Sequence, residues 1–392
     1  MSNLRICIIG SSIAGISAAA AAHRENPQAE IHIFTEDTHL PYYRQRLAEV
    51  LLDPAAASRL LIHPAEWYKE HGIHIRLGSR VNAITPESKS LRLSDGSEER
   101  YDKLIIATGS RSFLPPIQGI DLPGIHSLWT MDQALELSAR LHESCRHAVV
   151  IGGGLLGLEA AHVCSKLGIQ THIIEHNPRL LARQLDEKAS SLLQEQIRRL
   201  GIDILLDADV EHFEAGADGQ VARVCLKDGR CCEANLVLVS TGVRARLELI
   251  DGLDVHIDRC LYVNERMETG LPDIYAAGDC VCLEGRWYGL WSIAKSQGET
   301  AGANAAGGDK VCHMPVPPYI VNTMDTRIAS AGLIDTSGTD YTAQITVDEV
   351  QLTYDRRNYL GTNLLGFILL GDTKPFSLLA KDLQETSRRA QL

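Results

Sequence analysis

A glycine-rich segment that occurs twice limits the folding options of this chain more than any other feature. Ile6-Cys7-Ile8-Ile9 is an apolar run that leads into Gly10-Ser11-Ser12-Ile13-Ala14-Gly15 and then into an alanine-rich stretch. Ala148-Val149-Val150-Ile151 leads in the same way into Gly152-Gly153-Gly154-Leu155-Leu156-Gly157. The copies are offset by 142 residues, both as 152 minus 10 and as 157 minus 15. Each reads as a buried strand, a tight turn and a helix. In such a turn the first glycine permits the reversal, the second lets backbone approach a phosphate, and the third lets helix and strand pack closely. The second copy is complete, and the first carries the small residue Ser12 in the middle place.

Each copy then reaches a second apolar strand, Ile31 to Phe34 and Thr171 to Ile174, followed by an acid, Glu36 or Glu175. These acids lie 21 and 18 residues beyond Gly15 and Gly157 (36 minus 15 and 175 minus 157), close to the separation at which a dinucleotide fold places its ribose-binding carboxylate. Phosphates would sit on the free N–H groups at the helix N-termini, where the dipole favours negative charge. Two dinucleotide sites are therefore expected. A carboxylate at Glu175 repels a 2′-phosphate, so NADH is expected over NADPH. His176, Arg179 and Arg183, close behind it, would tolerate a phosphate.

Composition narrows the class further. A chain of 392 residues is too long for one hydrophobic core, and 45% hydrophobic with 22% charged residues is ordinary for a globular protein. A net charge of -12 argues against nucleic acid or an anionic membrane as partner. Arg5 before the apolar run Ile6 to Ala22 looks at first like a targeting leader. The run is broken by Gly10, Ser11, Ser12 and Gly15 and ends at His23, Arg24 and Glu25, which suits a strand, turn and helix better. No stretch of 18 apolar residues is present. The 10 cysteines form no CxxC or zinc pattern, so a reducing compartment, the cytoplasm, is expected, with most of them packing as small apolar groups. The close pairs Cys231-Cys232 and Cys280/Cys282 are not expected to be redox-active.

Three further segments carry a resemblance. Leu104-Ile105-Ile106-Ala107-Thr108-Gly109 is an apolar strand ending in Ala-Thr-Gly, with Pro115, Pro116 and Gly119 after it. Thr241-Gly242 closes the strand Leu236 to Ser240, and Ile274-Tyr275-Ala276-Ala277-Gly278-Asp279 ends in Gly-Asp. With both glycine turns, in this order, the chain resembles the FAD-dependent pyridine nucleotide–disulfide oxidoreductase superfamily over residues 1 to about 310. The resemblance implies an α/β fold of two Rossmann-like dinucleotide-binding domains of the glutathione-reductase type. Residues 1–108 and 243–310 would bind FAD, and 109–242 would bind NAD. Residues 311–392 would form a small α+β domain, strand-rich from Met314 through Pro315, Pro317 and Pro318, with a frayed tail after Asp382. Hairpins are expected at Asp95-Gly96 and Asp228-Gly229.

The same resemblance implies FAD contacts from Gly10, Ser12, Ile13, Ala14, Gly15, Glu36, Arg44, Arg46, Val81, Ala107, Thr108, Gly109, Arg111, Gly278, Asp279 and Trp291. It implies NADH contacts from Gly152, Gly154, Leu155, Leu156, Gly157, Glu159, Glu175, His176, Thr241 and Gly242. Glu159 would lie near the nicotinamide and Arg44 near the flavin or its phosphates. Trp291 would open a helix aimed at the flavin pyrimidine edge, and these three are the expected catalytic residues. No metal is expected.

Within the superfamily the redox cysteines decide where electrons go after the flavin. Disulfide reductases carry CxxxxC or CxxC, and peroxidases and oxidases carry one cysteine in the loop that here reads Leu40-Pro41-Tyr42-Tyr43-Arg44-Gln45-Arg46-Leu47. This loop has no cysteine, and Cys164 stands alone on the second glycine-turn helix. The loop, with Leu290 to Gly298 and then Ala301, Gly302 and Asn304, is similar to that of NADH:rubredoxin and flavorubredoxin reductases. It is also similar to nitrite-reductase flavin domains and oxygenase-coupled ferredoxin reductases. The implied function is hydride transfer from NADH to FAD and delivery of electrons to a small iron protein such as rubredoxin, received at a basic lip of Arg46 and Arg111. The alternatives are an NADH oxidase or peroxidase, a nitrite-reductase-type flavin reductase, and a low-turnover flavin-bound NADH sensor or assembly partner.

Overall fold

Apolar runs without alternation form strands covered on both faces, and that requires a parallel sheet with helices packed on it. The computed structural model, which describes residues 3–313, 318–335 and 341–390, has two such sheets. Met314, Pro315 and Pro317, named above at the start of the last domain, lie outside the described residues. The chain packs as two units. One comprises Met1–Leu47, Ala55–Arg111 and Val243–Met314, and the other Ala48–Pro54, Ser112–Gly242 and Pro315–Leu392.

In the first unit Arg5–Ile9 lies at the centre of five parallel strands, in the order Ile274–Ala276, Lys103–Ile106, Arg5–Ile9, Glu30–Phe34, Ile73–Arg76. Ile6, Cys7, Ile8, Ile31 and Ile33 are fully enclosed there. An antiparallel ribbon of Val81–Thr85, Ser90–Leu93 and Glu98–Arg100 accompanies it, with the expected turn at Asp95-Gly96. The second unit repeats the plan. Its parallel order is Ile202–Leu205, Gln170–Ile174, His147–Ile151, Leu236–Val239, Ile125–His126. Its ribbon is Val210–Ala215, Val221–Leu226 and Cys231–Glu233, turning at Asp228-Gly229. The internal repeat of the sequence is thus a repeat of sheet order.

The helix after the first turn, Ile13–Glu25, packs on the helix Trp291–Ala305 at backbone contact distance. A Cβ on Gly298 would overlap the Ala14 carbonyl, and one on Gly302 the Ala18 carbonyl. Glycines four residues apart on one helix, facing alanines four apart on the other, make a close crossing possible. That crossing also places Gly278, whose N–H donates to Gln297 Oε1 at 2.9 Å, beside Ala14.

Residues beyond 318 in the second unit build an antiparallel sheet in the order Tyr319–Thr323, Thr326–Gly332, Asn363–Leu370, Thr353–Leu360, Thr342–Asp348. The frayed tail expected after Asp382 is a helix instead, Phe376–Ala390. Leu379 and Leu383, one turn apart, bury against Phe367 and Leu369 and give it an apolar stripe that its polar composition hides. The cysteines also differ from expectation, because Cys225–Cys231 and Cys260–Cys282 are disulfides. Neither adjacent pair in sequence is the pair in space, since strand register puts Cys225 opposite Cys231 and leaves Cys232 on the other face. Five of the remaining thiols are buried, as expected of small apolar groups.

Gly302→Val should cost about 1–3 kcal/mol or more through overpacking. Thermal unfolding followed by circular dichroism should show a midpoint lower by roughly 3–10 °C. An unchanged midpoint would contradict the close helix crossing.

Candidate functional site

Each glycine turn ends in a helix that no side chain caps. Gly10 and Gly152 adopt φ of +105° and +112°, where a Cβ would overlap the carbonyls of Ala107 and Ser240. This is why only glycine can leave the strand there. Ser12 and Gly154 are the N-caps, neither makes a side-chain capping bond, and neither helix has an acid in its first turn. The helix beginning at Trp291 shares both features, with Leu290 as N-cap. Two other helices are capped in the ordinary way. Thr130 forms a capping box with Gln133, and Asp186 accepts from the Ala189 N–H at 2.9 Å with Glu187 in the first turn. The three open ends therefore present unmet N–H donors and an uncompensated positive pole.

Gly154 gives the clearest sign of what these ends receive. Its φ of -81° and ψ of 176° are available to any residue, and a Cβ there meets nothing within 4 Å. The chain itself does not need glycine at this place. Glycine leaves the backbone there open to close approach, and the free donors suit an anion. Ser12 holds the matching place in the first turn, with the same extended backbone at φ -74° and ψ -174°.

Around the first open end the structure gathers several expected residues. Asp279 follows Gly278, accepts from Ser110 Oγ at 2.7 Å, and its backbone carbonyl accepts from Trp287 Nε1 at 2.8 Å. Burial pushes its carboxyl above the usual range, with the Ser110 bond and the Arg44 charge acting against that. Arg44 opens the short turn Arg44–Arg46, sits over the Tyr42 ring at 5.6 Å, and its charge also reaches Glu36. Trp291 stacks, tilted, against Tyr43 at 5.5 Å. Val81, Ala107 and Ile13 are core residues of the same unit.

One residue here escaped sequence reasoning. Arg246 grips Glu36 through both carboxylate oxygens, Nη2 to Oε2 at 3.1 Å and Nη1 to Oε1. Its backbone N–H donates to the Gly109 carbonyl at 2.9 Å, and its carbonyl accepts from Thr108 Oγ1 at 3.0 Å. This guanidinium holds the Glu36 carboxyl below its usual range. No local pattern marks a pair separated by 210 residues. Arg111, expected at a basic lip with Arg46, is ion-paired with Glu248. Arg46 is an exposed residue of the Arg44–Arg46 turn.

In the second unit Glu175 is buried and already engaged. It accepts from the Gly153 N–H at 2.5 Å, the Asn177 N–H at 2.7 Å and Asn177 Nδ2 at 2.5 Å. A carboxylate has about four acceptor sites, so one is left open. His176 Nδ1 faces Asp209 at 2.6 Å, which puts a second carboxylate near this turn. Thr241 Oγ1 donates to the Phe113 carbonyl at 2.7 Å, and the Gly242 carbonyl accepts from the Phe113 N–H at 2.9 Å. Leu155 and Leu156 open the helix, and Gly157 lies against the Gly152 carbonyl. Glu159, one turn in, has its carboxyl pushed up to about 7, chiefly by burial and secondarily by Glu49. Its Oε2 has no hydrogen-bond partner among the described residues, and neither has the hydroxyl of Tyr319, whose ionisation Glu159 opposes.

No helix among the described residues is long and apolar enough to cross a membrane. The family model described as pyridine nucleotide-disulphide oxidoreductase matches residues 4–298. An NADH-rubredoxin oxidoreductase of Clostridium acetobutylicum is 32% identical over 86% of this chain and 83% of its own length. Its solved structure superposes with a TM-score of 0.79 and 27% identity, covering 98% of this chain and 95% of that one. An assimilatory nitrate reductase electron transfer subunit of Bacillus subtilis is 30% identical over 95% of this chain and 48% of its own length. A ferredoxin reductase of Rhodopseudomonas palustris shares the fold, with a TM-score of 0.89, 24% identity, and coverage of 97% and 96% of the two chains. The chain spans about half the length of several curated relatives it matches, the nitrate and nitrite reductase proteins of Bacillus subtilis among them.

Because folding raises the Glu159 pKa, the stability associated with its neutral form is complete below 4.5 and is lost as pH rises through about 7. Glu159→Gln should therefore unfold at the same temperature as wild type near pH 4.5 and roughly 2–6 °C higher at pH 8.5. An equal offset at both pH values would contradict an enclosed, titrating Glu159.

Proposed function

The chain belongs to the pyridine nucleotide-disulphide oxidoreductase family, and from that premise we propose that it carries electrons from NADH through FAD to a small iron protein of the rubredoxin class. FAD and NADH are the cofactors that membership brings, and the enzyme class is an NAD(P)H-dependent flavin oxidoreductase. When bound, FAD accepts a hydride from NADH and gives electrons up singly, chemistry that no side chain of this protein supplies.

The residues divide by unit in this reading. In the first, the open helix end at Ser12, Ile13 and Ala14 takes the FAD pyrophosphate, and Glu36, turned by Arg246, meets a ribose. Asp279 and Gly278 hold the ribityl chain, and Arg44 balances the charge of both carboxylates. The helix opening at Trp291 turns its positive pole toward the flavin, which favours negative charge there. In the second unit the open end at Gly154, Leu155 and Leu156 takes the NADH pyrophosphate. Glu175 fixes the turn and meets a ribose, and Glu159 lies beside the nicotinamide. Glu175 and Asp209 together disfavour a 2′-phosphate, which supports NADH over NADPH.

The observation that carries the acceptor assignment is the state of the thiols. Cys7, Cys280 and Cys312, the free thiols of the first unit, are buried, and burial raises each of them, Cys7 up to about 12. A buried neutral thiol relays no electrons. The loop from Leu40 to Leu47 supplies none either, and the Cys260–Cys282 disulfide of the same unit is buried, which supports direct delivery to a one-electron acceptor. The likeness to the rubredoxin reductase, and to a ferredoxin–NAD(+) reductase component of Paraburkholderia xenovorans at 31% identity, supports an iron protein in that role. A cytoplasmic location goes with the proposal, since NADH is the reductant. The length of match to the nitrate reductase electron transfer subunit favours, as a second reading, delivery into a nitrate- or nitrite-reducing partner.

The test is anaerobic steady-state turnover of the FAD-loaded chain with NADH and oxidised rubredoxin. Rubredoxin reduction should run several-fold above oxygen consumption in air and be slower with NADPH. Oxygen consumption equal to or above it would contradict the proposal and favour an oxidase.

A further inference from the structure

The antiparallel ribbon of the second unit carries a set of side chains that the flavin reading does not use. Strand register aligns His212 with Cys225 and Cys225 with Cys231, a single row across three strands. Residues directly opposite in an antiparallel sheet point to the same face. Glu214, two positions along from His212, shares that face. Phe213, Val224 and Cys232 take the opposite face, against the apolar core. Two cysteines, a histidine and a glutamate thus converge on one side of a three-stranded ribbon.

The convergence holds at atomic scale. The ligand atoms of His212, Glu214 and Cys225 all lie within 4.8 Å of one another, and Cys231 is bonded to Cys225. Glu214 divides its two oxygens, Oε1 at 3.5 Å from His212 Nε2 and Oε2 at 3.0 Å from Arg223 Nη1. On the other side of the imidazole, Nδ1 faces Glu211 Oε2 at 3.6 Å. A carboxylate behind the far ring nitrogen is the arrangement that orients a metal-binding histidine and fixes its tautomer.

We infer that this ribbon is a redox-gated site for a thiophilic divalent cation, Zn²⁺ by its ligand set. The ligands are the thiolates of Cys225 and Cys231, Nε2 of His212 and Oε1 of Glu214, with Glu211 holding the imidazole from behind. Two sulfurs, one nitrogen and one oxygen make the mixed tetrahedral set that zinc accepts. A zinc with bonds of about 2.0–2.3 Å separates its ligand atoms by roughly 3.3–3.8 Å. Opposed strand positions, with Cβ atoms about 4.5–5.5 Å apart, allow that sulfur spacing by side-chain rotation alone.

The disulfide and the metal exclude each other. To open the site a dithiol reductant supplies two electrons and two protons. The Cys225–Cys231 bond breaks, two thiols form, and the reductant closes its own disulfide. Zinc then displaces both thiol protons as it binds. Cys231 is exposed, so a reductant reaches it from solvent. In a reducing compartment the metal form is the one that fills.

The test uses the full, FAD-loaded chain. One sample is reduced with dithiothreitol and desalted under argon, and the other is kept oxidised. Both are dialysed against Zn²⁺, and bound zinc is measured by elemental analysis and its ligands by zinc X-ray absorption. The reduced chain should hold one zinc per chain with two sulfur ligands, and the oxidised chain none. Cys225→Ser and Cys231→Ser should abolish binding, Glu211→Gln should weaken it about 10–100-fold, and Cys232→Ser should leave it unchanged. A reduced chain without zinc, zinc without sulfur ligands, or zinc retained in both cysteine variants would overturn the inference. If a serine variant fails to fold, the reduced and oxidised wild-type samples decide alone. NADH-driven bleaching of the flavin should persist in every variant, so the two readings fail separately.

Discussion

Much in this structure follows from helix N-termini left without a cap. A helix start has several backbone N–H groups that nothing within the helix can satisfy, and most chains meet them with a serine, threonine or aspartate side chain. This chain does so at Thr130 and Asp186. At Ser12, Gly154 and Leu290 it does not, and no acid stands in the first turn of any of the three helices. The strand before each glycine turn has to be buried on both faces to hold such an end in place, which accounts for the unbroken apolar runs. The helix Trp291–Ala305 has to come within backbone contact of Ile13–Glu25, which accounts for Gly298 and Gly302.

The carboxylates near these ends are each tied before any ligand arrives. Glu36 is turned by Arg246, Glu175 closes on the Gly153 and Asn177 N–H groups, and Asp279 is held by Ser110. An acid that is already oriented loses little freedom on binding a ligand, which is the benefit of preorganisation. Glu159 is the exception. Burial pushes its carboxyl up to about 7 and leaves Oε2 without a hydrogen-bond partner among the described residues, the pattern of a group that responds to what binds beside it.

The glycine turns, their strands, the acids Glu36 and Glu175 and the Gly-Asp strand end were legible in the sequence because each depends on neighbours within a few residues. Arg246 was not, since its partner Glu36 lies on the far side of the inserted second unit in the sequence. Tyr319 opposite Glu159 was hidden for the same reason. The final helix was read as a frayed tail because its stripe, Leu379 and Leu383, is narrow in a polar sequence. The disulfides were not legible, because strand register and not proximity in sequence pairs Cys225 with Cys231. Arg111 was read as part of a basic lip with Arg46, and only the structure places Glu248 against it.

The claim at the centre of this account is that the turn at Gly152 to Gly157 receives NADH and the turn at Gly10 to Gly15 receives FAD. Gly154→Val tests it most directly, because the free protein has room for the new side chain and its backbone conformation suits valine. The measurement is anaerobic stopped-flow reduction of the variant's flavin over a range of NADH concentrations. The account predicts a folded, fully yellow protein whose half-saturating NADH concentration rises at least about tenfold, a loss of roughly 1.4 kcal/mol or more in binding. A variant that loses FAD, or one that takes up NADH as tightly as wild type, would contradict it.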